Sequence, residues 1–300
     1  MRKLTALIKR NTKLYFKDKG MFFTSLITPL ILLLLYSTFL GNVYEESFRS
    51  ALDAAGATVS DTLIGGCVGG QLASSLLAVC CVTVAFCSNF LMVQDKVTGA
   101  KQDLTMTPVG RGTLALGYYI ANLLSTLLVC FGAAAICLLY LSQIGWYLTA
   151  MDAALILLDI LLLVLFGSAL SSIINFFLSS QGQISAVGTI VSAGYGFLCG
   201  AYMPISNFSD GLQKVIAFLP GTYGTSLLRN HFLRGVFEEM SVQGFPKQVV
   251  DAIRDSVDCN IYFFDTKVEQ ASMYLILIGA VAILIGIYIL LNLLASKRSK

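Results

Sequence analysis

A chain of 300 residues that is 56% hydrophobic and only 12% charged is not a soluble globular domain, since such domains carry about 25% charged residues. A net charge of +3, from 20 basic and 17 acidic residues, leaves no polycationic surface for nucleic acid. The composition is that of an integral membrane protein embedded in a lipid bilayer.

Residues 1–19 read as an amphipathic helix in the membrane interface. Leu4, Leu7, Ile8 and Tyr15 share one helical face, and Lys and Arg fill much of the rest. The alternative is a plain basic flank of the first span. Six runs then reach the ~20 apolar residues that a spanning helix needs: 21–40, 63–92, 113–141, 153–178, 184–203 and 273–294. The first contains Pro29, which removes a backbone hydrogen bond and is expected to kink it. The second and third, at about 45 Å each, must tilt, bend or project beyond the hydrocarbon. The second opens with GGCVGG, pairing Gly65 with Gly69 and Gly66 with Gly70; the fifth repeats the spacing with Gly196 and Gly200. Small residues four apart let helix backbones approach closely, within one chain or between two. Asp159 is the one acid well inside an apolar run, LILLDILLLVLF. It must face a partner, water or the bundle interior, as a proton or cation site or as a hydrogen-bonded structural acid.

Basic residues gather in the N-terminal segment, in the second loop (Lys96, Lys101, Arg111) and in the tail (Lys297, Arg298, Lys300), whereas the first loop sets Arg49 against four acids. The positive-inside rule then puts both termini and the second loop in the cytoplasm and the long segment 204–270 outside. In that segment Ser209 is placed to cap a short helix bearing Leu212, Val215, Ile216 and Leu219, which Pro220 stops. YGTSLLRNHFLRGVF follows as a second short apolar helix. Together they predict a re-entrant hairpin, with residues 238–270 as a polar cap. Seven of the eight cysteines lie in apolar runs as small hydrophobes; Cys259 lies outside them, and a Cys67–Cys259 bridge is left open.

The stretch LMVQDKVTGAKQDLTMTPVGRG, residues 91–112, interrupts the apolar sequence with five charges and a proline. Thr98 can cap a helix that must end before Pro108. On it Val97, Ala100 and Leu104 share one face, with Thr98, Gln102 and Thr105 opposite. A short polar helix at the inner end of two long spans is placed to dock a cytoplasmic partner.

Three blocks carry a family resemblance: LIKRNTKLYFKDKGMFFTSLITPLILLLLY, DKVTGAKQDLTMTPVGRGTLALGYY and GAYMPISNFSDGLQKVIAFLPGTYGTSLLRNHF. In their order and spacing the chain resembles the membrane subunit of ATP-binding-cassette transporters of the type-2 exporter family. The resemblance implies an all-α integral membrane protein with six transmembrane helices, an N-terminal interfacial helix, a cytoplasmic coupling helix within 95–110 and an extracellular loop, 204–270, that contains a re-entrant hairpin. All of it would form one transmembrane domain spanning 1–300. It implies that Thr98, Gly99, Lys101, Gln102, Leu104 and Pro108 touch an ATP-binding subunit, present in two copies. A second permease chain, identical or homologous, would complete a pathway between the permeases. Spans two and five would line that pathway, with Gly65, Gly69, Gly196 and Gly200 in close helix contact. Where the family carries a run with Glu before the Thr-Gly pair, this chain has Asp95 and Lys96.

The chain has no Gly-Lys dipeptide and so cannot hold a phosphate loop of the G-x-x-x-x-G-K-[ST] type. ATP and Mg are therefore expected in the partner, with no cofactor, metal or catalytic residue here. The expected activity is export of an amphipathic or lipid-like substrate across a bacterial plasma membrane. Two rivals remain: an ion-coupled secondary transporter using Asp159, and a non-transporting immunity or scaffold protein. A membrane enzyme would need convergent polar groups, and the single histidine, His231, stands in no such motif.

Overall fold

The computed structural model describes residues 2–54, 60–264 and 266–297. Helix α1 (Arg2–Lys17) leads into α2 (Lys19–Leu35), a π-helical turn (Tyr36–Leu40) and α3 (Gly41–Ala54). Then come α4 (Asp61–Asn89), α5 (Leu91–Val97), α6 (Ala100–Met106), α7 (Arg111–Ile144), α8 (Ala150–Phe177) and α9 (Gln181–Leu198). The last third contains α10 (Asp210–Ile216), α11 (Pro220–Val242), α12 (Lys247–Ser256), a two-stranded antiparallel hairpin of β1 (Ile261–Phe263) and β2 (Thr266–Val268), and α13 (Gln270–Lys297).

The fold is organised around α4. Its sequence is apolar and small-residue-rich on every face (Gly65, Gly66, Gly69, Gly70, Ala73, Ser74, Ser75, Ala78). A helix that is apolar all round belongs in an interior, and small side chains let neighbours come close. The structure follows: α4 is buried on all sides, against α2, α7, α8, α9 and α11. By contrast α2, α7 and α13 bury one face and present Leu, Ile and Phe on the other, as helices in lipid do.

Five helical stretches among the described residues are long and apolar enough to cross a membrane: Lys19–Glu46, Asp61–Val97, Arg111–Ile144, Ala150–Phe177 and Gln270–Ala295. The run expected over 184–203 is not among them. Its helix, α9, stops at Leu198, and the chain turns through Gly200 at φ 71°. There Cys199 and Ala201 pack on Val79, well along α4. The chain then returns as α10 and α11, and α11 climbs α4 in the opposite sense. Arg229 reaches Ser75, Leu233 packs at Gly70 and Val236 at Gly66. Thus α9 and α11 divide between them the ground that one uninterrupted helix would cover.

The helix carries on through Pro29, and a π-helical irregularity, Tyr36–Leu40, follows about two turns later. Pro220 does not merely end a short helix; it occupies the first turn of α11, where its missing N–H costs nothing. Helix α11 then runs for 23 residues, most of them buried. Ser209 does stand at the N-cap of α10, without a side-chain hydrogen bond. Cys67 and Cys259 share one apolar cluster as free thiols, so no bridge joins them.

Tight backbone approach makes a clear prediction. A Cβ on Gly235 would run into the main-chain carbonyl of Tyr147, whereas one on Gly279 meets nothing within 4 Å. Gly235→Ala is expected to destabilise the protein by about 1–3 kcal/mol, and Gly279→Ala to leave it unchanged or slightly more stable. Thermal unfolding of the detergent-purified variants measures both.

Candidate functional site

Residues 91–112 form two short helices rather than one. Helix α5 prolongs the axis of α4 to Val97, and Gly99, at φ 82°, swings the chain into α6. That left-handed conformation crowds any other L residue, which accounts for glycine after Thr98. Thr98 does not cap α6, as the sequence suggests. It closes α5, and its Oγ1 donates to the Gln94 carbonyl at 2.9 Å. Gly99 takes the N-cap position, its carbonyl accepting from the Gln102 N–H at 2.8 Å.

Helix α6 has one exposed face and one face seated on the bundle. Leu104 is half-buried against Leu7, Met92, Leu114 and Tyr118. Gln102, Asp103, Thr105, Thr107 and Pro108 are exposed, and Met106 is 84% exposed. The segment after α6 is held from α1, where Lys3 Nζ donates to the Pro108 carbonyl at 2.7 Å. Lys101 is half-buried, and burial together with the nearby charge of Arg111 lowers its pKa.

Beneath α6 lies a set of polar contacts that fix α5 to the rest of the chain. Asp95, buried, takes two hydrogen bonds from the Arg10 guanidinium of α1, at 2.7 and 3.0 Å. It takes a third from the Tyr118 hydroxyl of α7, at 2.5 Å. The bond to Asp95 raises the pKa of Arg10, keeping it charged. Lys96 turns the other way, and its Nζ donates to the carbonyls of Asn175, Phe176 and Leu178 at 2.8–2.9 Å. These are the orphan carbonyls at the end of α8. One helical turn deeper, Asn89 donates to Ser171 and Ser172 of α8 at 3.1 and 2.9 Å. Asp95 and Lys96 thus spend their charges inside the chain. Arg10, Tyr118 and Asn89 went unnoticed in the sequence because their partners lie tens of residues away.

The glycines named from the sequence pack inside one chain. A Cβ on Gly65 would lie 3.1 Å from the Ile144 carbonyl of α7, and one on Gly69 would press on Leu141 and Ile144. Gly196 faces the ring of Tyr202, and Gly200 makes the turn after α9 beside Ile205 and Asp258. Helix α4 is enclosed by its own chain, and Gly65 and Gly69 pack there against α7.

Asp159 and His231, singled out separately, are partners. His231 Nδ1 lies 2.6 Å from Asp159 Oδ2, and the Tyr274 hydroxyl donates to Oδ1 at 2.7 Å. The triad ties α8, α11 and α13 together. Above it, buried Arg229 donates to Asp258 at 3.0 Å, to Ser75 at 3.2 Å and to the Gly200 carbonyl.

The profile of the ABC-2 type transporter family matches residues 2–233. The chain belongs to that family. It is the membrane component of an ATP-binding-cassette transporter, a class that implies an ATPase partner. No curated protein matches the chain. The family match covers α1, the 91–112 segment and α9, and ends within α11 at Leu233.

The pair under α6 is testable by a double-mutant cycle. Hydrogen bonds to charged groups contribute about 1.5–3 kcal/mol, and Arg10 is 31% exposed, so solvent reduces this. Arg10→Ala and Asp95→Asn are expected to couple by about 1–2 kcal/mol. Arg10→Ala with an exposed-residue control, Thr105→Ala, should be additive. Thermal unfolding of the singles and doubles reads the difference.

Proposed function

We propose that this chain is the permease subunit of an exporter driven by a separate ATPase, and that α6 with residues 98–108 is where the ATPase docks. Two ATP-binding subunits, which hold the ATP and Mg, would serve two permease chains, identical or homologous. In this reading α9 and α11 together supply a sixth crossing, with a re-entrant hairpin at 204–242 on the outer side. Both termini are cytoplasmic, and the protein sits in a bacterial plasma membrane. The apolar, tyrosine- and phenylalanine-bearing helices suit an amphipathic or lipid-like cargo.

One observation carries the reading: α6 exposes Gln102, Asp103, Thr105 and Met106 at the basic end of the bundle, while the α5 helix at its base is pinned to three different helices. A loop with no docking role has no reason to hold Met106 in solvent while Asp95 and Lys96 are invested in the bundle. Exposed Met106 adds a contact to those expected from the sequence. The pathway is better placed along faces that the chain leaves open than along α4. Helix α9 offers such a face, with Ala186, Thr189 and Ala193 exposed. Asp159, with both oxygens engaged, reads as a structural acid and favours this function over ion-coupled transport.

The test uses Gln102→Glu and Met106→Glu in the full transporter. Both side chains are exposed, so stability should stay within about 0.5 kcal/mol of the parent. Recovery of the ATPase with the tagged permease should fall about tenfold or more if these are central interface positions. Unchanged recovery with unchanged stability would show that the ATPase docks elsewhere.

A further inference from the structure

A cleft of about 550 Å³ opens between α2 and α7, with α4 as its floor. The floor is Leu72, Ala73, Leu76 and Cys80, all buried. The rims are Leu30 and Leu33 of α2 and Ile136 and Tyr140 of α7, all exposed. The cleft is thus closed behind by the most confined helix of the fold and open sideways, between two helices that meet lipid. At the end away from α1 stands Tyr36, in the π-helical turn. Its ring stacks on that of Tyr44, with centroids 5.6 Å apart and planes tilted by 10°. Tyr44 lines a second cavity, of about 720 Å³, between α3, α12 and the turn after α9. There Phe48 and Tyr202 are joined by the hydroxyls and amides of Ser206, Asn207, Gln248 and Ser256. Successive residues, Leu40 and Gly41, line one cavity each, so the π-helical turn and the stacked tyrosines form the partition.

We infer that the cleft binds one neutral glycerolipid from the bilayer, its acyl chain along α4 and its ester and hydroxyl groups at the Tyr36–Tyr44 pair, next to the second cavity. Shape and access select the chain. Leu26 to Tyr36 spans ten residues along α2, about 15 Å, which matches the ~15 Å of hydrocarbon in one leaflet. A ligand dissolved in the bilayer enters through the open side without crossing water. Lipid tails are as apolar as leucine, so packing rather than hydrophobic transfer retains the chain, and a buried floor supplies many close contacts. Hydrogen bonding selects the head. The Tyr36 side chain is buried, and its hydroxyl faces Ser75 and Tyr44 yet lies within hydrogen-bond distance of no partner among the described residues. Leaving a buried hydroxyl unpaired is costly, and an ester carbonyl or a glyceryl hydroxyl would relieve that cost. The hydroxyls and amides of the second cavity complement the same kind of head. The site is remote from α6 and does not depend on where the ATPase docks.

The experiment titrates the full-length protein in detergent with monooleoylglycerol and, separately, with oleoyl lysophosphatidylglycerol, which has the same chain and a charged head. Native mass spectrometry counts the bound lipid. The expected result is one monooleoylglycerol retained in preference to the charged lipid. Tyr36→Phe, which removes only the hydroxyl, should weaken it by about three- to tenfold. Ala133→Trp, which fills the cleft from α7, should abolish retention, and Tyr36→Phe carries the test if that variant fails to fold. Ala135→Trp makes the same change at an exposed position of α7 outside the cleft and should have no effect. Equal retention of the two lipids, or preference for the charged one, would overturn the proposal. So would retention unaltered by either site variant, or an equal loss from Ala135→Trp.

Discussion

A helix enclosed on every side cannot move without moving its neighbours, and α4 is such a helix. It touches α2, α7, α8, α9 and α11. Interiors are packed as densely as organic crystals and transmit displacement with little compression. Only Phe90 separates α4 from α5, and Thr98 and Gly99 alone separate α5 from α6. Whatever load reaches α6 therefore enters a short column that ends in the most confined helix of the fold. The small residues that let α4 be confined are also what make it a shared axle.

Apolar packing alone would leave that column free to slip, because hydrophobic contact is non-directional and in lipid gives helices little preference for one another. Direction comes from a few buried polar ties. At the basic end Asp95 locks α5 to α1 and α7, Lys96 locks α5 to α8, and Asn89 locks the end of α4 to α8. Midway, Asp159, His231 and Tyr274 bind α8, α11 and α13. Farther along, Arg229 clasps Asp258, Ser75 and the Gly200 carbonyl. Breaking a buried ion pair by removing one partner costs about 3–5 kcal/mol, so the Arg229–Asp258 pair, buried on both sides, sets register more sharply than an equal area of leucine. Together they let the two ends of the bundle keep their spacing while whole helices shift.

Much of this was legible in the sequence. The apolar runs stand out by length, the polar interruption at 91–112 by contrast, and the all-round burial of α4 by its glycines, alanines and serines. Thr-Gly at 98–99 signals a break, although the side of the break on which Thr98 falls depends on one backbone angle. What sequence could not supply was pairing. Asp95 and Arg10 lie 85 residues apart and Asp159 and His231 lie 72 apart; nothing local points from one to the other. The length of α11 was hidden for a different reason. Pro220 reads as a stop, yet proline suits a first helical turn, and Gly221 and Gly224 answer to close neighbours, Tyr195 and Leu163. The early end of α9 was masked by apolar residues 199–203, which belong to a turn and not to the helix.

The central claim is that α6 and the inner end of α8 move as one body when the partner ATPase turns over. Spin labels at Thr105 and Ser179, both exposed, in a cysteine-free background report that directly through their separation in the assembled transporter, with and without bound nucleotide. The account predicts a single Thr105–Ser179 distance that is unchanged by nucleotide. A nucleotide-dependent change in the Thr105–Ser179 distance would contradict it, because the Lys96 and Asn89 ties to α8 would then not be carrying the load.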